Sequence, residues 1–338
     1  MYELFEIWGS SLQEISFVGF LTFLAGCSLL GLFFLTKGGD WLSDYCSIFA
    51  EKLGIPPIIV GLTIVSVATS APELFTSIAA INSSAGGLVM GNITGSNVAN
   101  IGLILGISLF LKPISTHNAV NLTQLLLLAV ATIGFSVSIT FSKDSELGYS
   151  TGVVLVIFIS CYLSGLCFVS LKNRKANERF SPENSQENNS YAIVLLMISL
   201  GGILLWMGSE SLVYGSKNLA KLAGIPNELI GFTLIAIGTS LPELAASIAL
   251  IKKDETSMLL GNIIGSNLFN IGLVGGVAGI LGPIVSESPY PWLDHLSMIL
   301  FTLILIYWMV GKNLIRKHGI MLLVLYALAS ATTWTANS

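Results

Sequence analysis

Residues 54–81 read GIPPIIVGLTIVSVATSAPELFTSIAAI, and residues 224–251 read GIPNELIGFTLIAIGTSLPELAASIALI. Farther along each, GNITGSNVANIGL at 91–103 returns as GNIIGSNLFNIGL at 261–273. The offset is 170 throughout, and positions 54–103 align with 224–273 without a gap at 24 identities in 50. Chance would give a few, so the chain is an internal duplication. Both copies lie in apolar runs, and Glu73 and Glu243 fall near the middle of theirs.

Composition places the duplication in a membrane. Of 338 residues, 53% are hydrophobic and only 10% charged, with a mean hydropathy of +0.82. Soluble domains carry about 25% charge, so a soluble enzyme is excluded. Hydropathy predicts ten spans: 17–53, 57–81, 86–110, 119–141, 149–171, 191–223, 227–251, 256–281, 292–311 and 318–336. The polar stretch KNRKANERFSPENSQENNS, 172–190, reads as a disordered cytoplasmic linker. It divides the chain into halves of five spans, 1–171 and 191–338. The predicted class is an all-α membrane protein of ten transmembrane helices. Five spans separate each helix from its copy, and five is odd, so the copies enter the bilayer from opposite sides as an inverted-topology repeat.

Placing both termini outside collects Lys52, Lys112, Lys172, Arg174, Lys175, Arg179, Lys252, Lys253, Lys312, Arg316 and Lys317 on the inner side. Lys143, Lys217 and Lys221 are then outer, with Lys37 unassigned inside a long segment, which is the orientation the positive-inside rule favours. The N-terminus has three Glu and no Lys or Arg before the first span, so no cleaved signal is expected. The net charge of −4 is spread over short loops, with no nucleic-acid footprint. Cys27, Cys46, Cys161 and Cys167 stand singly in apolar runs and read as packed hydrophobes. His117, His295 and His318 lie at span edges and read as interfacial.

The repeat also carries the chemistry. Thr69 and Ser70 precede Glu73 by four and three residues, and Thr239 and Ser240 precede Glu243 likewise, so each trio shares a helix face. Pro72 and Pro242 lack an N–H, which leaves carbonyls near 66–69 and 236–239 free to turn inward. The next helix of each copy adds Ser96 with Asn100 and Ser266 with Asn270, and Asn92, Asn97, Asn262 and Asn267 supply further amides. Hard cations such as Ca²⁺ and Na⁺ take about six such oxygens. Zn, Cu and Fe would call for His or Cys. Asp40, Asp44, Glu210, Glu228, Asp254, Glu255, Glu287 and Asp294 sit nearer span ends and read as solvated; Asp40 and Glu210 align at the same offset.

With TSAPE, TSLPE and the paired GNIxGSNxxNIG segments, the chain resembles the cation/Ca²⁺ exchanger superfamily, closest to its prokaryotic sodium/calcium branch. The likeness covers α-repeats at 54–106 and 224–276 and the ten-span plan of the rest. It implies metal-ion ligands at Ser66, Thr69, Ser70, Glu73, Ser96 and Asn100 in the first copy and at Ala236, Thr239, Ser240, Glu243, Ser266 and Asn270 in the second. Ser66 and Ala236 would act through backbone carbonyls. Many relatives have Asp where Asn270 stands. The resemblance implies Na⁺/Ca²⁺ antiport in a bacterial or archaeal cytoplasmic membrane, with both ions as cargo, no cofactor, and a monomer sufficient for transport. Two alternatives stay open: the same fold running on H⁺ or carrying another divalent ion such as Mn²⁺, and a cation channel. The cation/proton branch tends to carry a second acid in its GN motif, which GNIxGSN lacks. Inverted repeats with Pro-containing helices and buried Glu favour a carrier over a channel.

Overall fold

The computed structural model describes residues 2–82, 86–116, 121–142, 146–172, 190–223, 236–285, 291–310 and 313–337. The linker 173–189, with Arg174, Lys175 and Arg179, lies outside them, as do His117, Lys143, Glu228, Glu287 and Lys312. The described chain is helical apart from a two-residue antiparallel pair, β1 (Glu146–Leu147) with β2 (Ile284–Val285). Eight of the described helices are long and apolar enough to cross a membrane.

Helix α1 (Tyr2–Ile15) precedes the long α2 (Phe17–Leu53), whose 37 residues extend roughly 55 Å against a hydrocarbon core of about 30 Å. The Ser16 hydroxyl accepts from Gly19 N at its start. Gly54 ends it at φ 62, a left-handed conformation that suits glycine. Helix α3 runs as Pro57–Val60, a π turn at Gly61–Val65, and Ser66–Asn82. Helix α4 runs as Gly86–Ala99, a π turn at Asn100–Leu105, and Gly106–Leu111. Then come α5 (Leu122–Thr140), α6 (Tyr149–Lys172) and the long α7 (Tyr191–Leu222). Helix α8 is broken into Ala236–Thr239 and Leu241–Lys252. Helix α9 runs as Thr256–Phe269, a π turn at Asn270–Gly275, and Gly276–Leu281, followed by α10 (Pro291–Met309) and α11 (Arg316–Asn337).

The two long helices cross antiparallel at backbone contact. A Cβ at Gly31 would overlap the backbone of Gly208 and Leu212, and one at Gly38 would overlap that of Gly201 and Leu205. Gly201 and Gly208 are the positions 170 beyond Gly31 and Gly38, so the crossing pairs each glycine with the copy of the other. The same reciprocity recurs elsewhere. Thr132 and Thr302, one offset apart, face each other at 3.5 Å. Ile114 bridges Leu314, and Ile284, the copy of Ile114, pairs with Leu147, three residues past the position that the offset gives for Leu314.

One end of the bundle gathers charged and capping contacts. Lys253 pairs with Asp44 at 2.6 Å, Lys112 with Asp254, and Tyr191 donates to the Lys52 carbonyl at 3.1 Å. The β1–β2 pair closes part of the opposite end.

The side chains depart from expectation at several positions. Cys27 and Cys46 are buried, but Cys161 and Cys167 are exposed, because α6 turns that face outward. His318 stacks on Trp308 near a helix start. His295 is not interfacial: at 3% exposure it packs edge-on against Phe135, since α10 begins upstream of it and carries it into the α5 contact. Pro72 does not interrupt its helix, whereas the chain does break beside Pro242.

Because the glycine crossing leaves no room for a side chain, Gly208→Leu is expected to cost about 1–3 kcal/mol or more through overpacking. Gly134→Leu is the control, since an added Cβ there meets nothing within 4 Å. Thermal unfolding in detergent should show a clear drop for the first and little change for the second.

Candidate functional site

The first half of the site is one face of α3. Ser66, Thr69, Ser70 and Glu73 follow the spacing i, i+3, i+4, i+7, and all four are buried. Val67 and Phe75, on other faces of the helix, are exposed. The π turn at Gly61–Val65 sits just before Ser66 and shifts the register of everything after it. Ser66 Oγ donates back to Gly61 O at 2.7 Å.

The second half is built differently from nearly the same residues. Ser240 is the turn residue at the break in α8, with φ −89 and ψ 4. Leu241 and Pro242 then open a new helical segment, as a proline at the first positions readily does. Glu243 therefore lies in a first helical turn, where free N–H groups favour a carboxylate, whereas Glu73 lies inside a continuous helix.

The halves interlock. Ser70 Oγ donates to Glu243 Oε1 at 3.0 Å. Asn100 Nδ2 donates to Asn267 Oδ1 at 3.0 Å. The α3 segment holding Glu73 packs on the π turn that starts with Asn270, and the α8 segment holding Glu243 packs on the π turn that starts with Asn100. Glu73 and Glu243 are each 1% exposed, and the residue that bonds Glu243, Ser70, lies on the same helix face as Glu73.

Asn262 is the position that sequence reasoning ranked too low, counting it only among further amides. Its Oδ1 takes hydroxyls from Thr69 at 3.3 Å and Ser266 at 3.4 Å, and Ser66 Oγ, whose proton is held by Gly61 O, lies 3.4 Å away. Its counterpart Asn92 bonds within its own half instead, to Ser77 Oγ at 2.9 Å and Glu73 O at 3.1 Å, and takes the Ser96 hydroxyl at 3.4 Å. Asn262 and Asn92 carry the same residue type at the same offset, so only packing distinguishes them. Of the expected ligands, Ser96 stays with its own helix, Thr239 is half-buried, and Ala236 sits in the short segment before the break.

Several buried polar atoms here have no hydrogen-bond partner among the described residues. They include both Glu73 carboxyl oxygens, Glu243 Oε2, Ser240 Oγ, Asn100 Oδ1, and both side-chain polar atoms of Asn270. Leaving such a group unmatched costs about 1–3 kcal/mol, and a carboxylate costs more. A cage of unpaired oxygens with two acids and, among the described residues, no buried lysine or arginine is suited to a cation, and its hydroxyl, amide and carboxylate oxygens are of the kind hard cations take. Among the described residues, no cluster of His, Cys, Asp and Glu is arranged for a transition metal.

Fold and site together define a multi-pass integral membrane protein with an oxygen-lined site buried among its helices. The family model for sodium/calcium exchanger proteins matches residues 23–168 and 193–335, and the chain belongs to that family. It is 35% identical to the uncharacterized membrane protein MJ0091 of Methanocaldococcus jannaschii over 310 residues, 91% of this chain and 97% of that one. It is 31% identical to the sodium/calcium exchanger MaX1 of Methanosarcina acetivorans, over 88% of this chain and 95% of that one. The solved sodium-calcium exchanger NCX_Mj superposes with a TM-score of 0.79 at 31% identity, covering 92% of this chain and 98% of its own. The named exchangers among these are transporters, not enzymes.

Asn262→Ala leaves the buried Thr69 and Ser266 hydroxyls short of a shared acceptor and is expected to lower stability by about 1–3 kcal/mol. Asn218→Ala, which removes one bond within α7, should cost less. Unfolding temperatures of the two purified variants provide the comparison.

Proposed function

We propose that this protein is a secondary antiporter in which Na⁺ moving down its gradient drives Ca²⁺ the other way, normally outward. Both ions compete for the cage between α3, α4, α8 and α9. The observation that carries this reading is the pair of in-register buried acids, Glu73 and Glu243, with three of their four carboxyl oxygens unpartnered among the described residues. Two carboxylates neutralise one Ca²⁺. The remaining ligands are Ser66 and Ala236 through their carbonyls, together with Thr69, Ser70, Ser96, Asn100, Thr239, Ser240, Ser266 and Asn270.

Transport proceeds by alternating access between two inverted halves, 1–171 and 191–338, joined by the linker 172–190. The reciprocal crossing of Gly31 and Gly38 with Gly208 and Gly201 supports a pseudo-two-fold axis lying in the membrane plane. So does the facing of Thr132 on Thr302. Each half of such a molecule can adopt the other's conformation. The unbroken α3 and the broken α8 are the two shapes to be exchanged, and Asn92 and Asn262 show the same asymmetry in their partners. The ten-span plan follows, with both termini outside in a cytoplasmic membrane. The bundle end that carries Lys52, Lys112 and Lys253 is then the inner one.

Glu73→Gln or Glu243→Gln removes half the charge that opposes Ca²⁺ in a low-dielectric cavity. Each is expected to abolish Na⁺-driven Ca²⁺ uptake in proteoliposomes while the protein remains folded. Near-normal flux in either variant would sink the site assignment.

Asn270 decides the co-ion. An amide offers a carbonyl oxygen without charge, so a K⁺ carried beside Ca²⁺ would leave the loaded cage with unbalanced positive charge. Uptake is expected to be unchanged when choline replaces K⁺ on both sides of the vesicle. Uptake that vanishes without K⁺ and returns with it would overturn the charge-matching argument.

A further inference from the structure

Pro242 has no N–H, so the carbonyl four residues earlier, that of Gly238, has no partner of its own in the helix. Inside a bilayer that vacancy is costly unless another group fills it. The group that fills it comes from α7: Ser209 Oγ donates to Gly238 O. Ser209 is 5% exposed and Gly238 is buried, so water does not compete for the bond. The contact falls at the break in α8, two residues before Ser240 and five before Glu243.

Nothing corresponds to this bond in the other half. The position 170 before Ser209 is Gly39, which has no hydroxyl and packs directly on the Ala245 backbone. The helix around Pro72 is unbroken there. A neighbouring serine gives a built-in comparison. Ser211 Oγ donates to Cys27 O at 2.8 Å, but that carbonyl lies within the uninterrupted α2, where the helical N–H four residues on already serves it. Of the two serines, only Ser209 satisfies an oxygen that the chain itself leaves bare.

We propose that Ser209 is a positioning residue of the ion site. From α7 it holds the Gly238 carbonyl, and with it the break that sets the first turn carrying Glu243. Ion affinity in the second half then depends on where α7 stands. The carbonyl that α7 claims is also one that would otherwise be free to turn toward the cage. The proposal rests on the exchanger reading above.

The test is Na⁺-gradient-driven Ca²⁺ uptake into proteoliposomes across a range of Ca²⁺ concentrations, normalised to folded protein, for wild type, Ser209→Ala, Ser209→Thr and Ser211→Ala. A neutral hydrogen bond of ordinary strength corresponds to about fivefold in a binding constant. Ser209→Ala is expected to raise the half-saturating Ca²⁺ concentration about fivefold with the maximal rate within about twofold, the pattern of lost binding and not of a lost fold. Ser209→Thr, which keeps the hydroxyl, is expected to restore the wild-type value, and Ser211→Ala to leave it unchanged. If Ser209→Ala does not accumulate, Ser209→Cys, similar in size with a much weaker donor, carries the same test. Wild-type half-saturation in the variant that lacks the donor would overturn the role of Ser209, as would equal impairment of Ser209→Ala and Ser209→Thr. Failure of the wild-type protein to take up Ca²⁺ under a Na⁺ gradient would overturn the exchanger reading and this inference together.

Discussion

An acid buried in a bilayer has to be answered by a cation or give up its charge, and this chain buries two without a buried lysine or arginine among the described residues. Glu73 and Glu243 are each 1% exposed, and among the described residues only one of their four carboxyl oxygens has a hydrogen-bond partner, the Ser70 hydroxyl. Much of the surrounding structure can be read as what is needed to keep such a pair in place. The π turns that start at Asn100 and Asn270 pack on the segments holding the opposing acids, and the hydroxyls of Thr69 and Ser266 gather on Asn262. The stabilisation that sets this cost off comes from the apolar packing outside the cage, including a helix crossing so close that its glycines touch backbone.

The second constraint is on the backbone. Hydrocarbon offers no hydrogen bonds, so irregular chain is tolerated in a membrane only where protein groups or a cavity take up the freed N–H and C=O. The break at Ser240 meets that condition through Ser209, and the turn at its far side opens a helix whose first N–H groups favour the Glu243 carboxylate. Helix α3 makes no such break, although it contains the matching proline. Two copies of one sequence pattern therefore stand in two shapes within one molecule. An alternating carrier requires both shapes to be accessible to either half.

Much of this was legible in the sequence. The duplication, the membrane setting, the spans from 17 to 171 and the acid-bearing faces follow from hydropathy, an offset of 170 and helical spacing, all of which are local properties of the chain. The pairing of Thr69 and Ser70 with Glu73 on one face needs only 3.6 residues per turn. The neutrality of Asn270 is likewise a matter of residue type.

What the tertiary structure alone decided lies where identical motifs meet different neighbours. Asn92 and Asn262 share a motif, yet one binds within its own half and the other across to α3. Pro72 and Pro242 share another, yet one helix runs through and the other breaks. Ser209 belongs to no motif; it matters because the α7 packing sets its hydroxyl on the carbonyl that Pro242 leaves bare. His295 looked interfacial because hydropathy sees span edges but not which helix covers them. Residue type and spacing determine which groups each helix can offer, and they are written in the chain. Which of two equivalent groups is satisfied, and by whom, depends on contacts between residues far apart in sequence, so it is settled only when the helices pack.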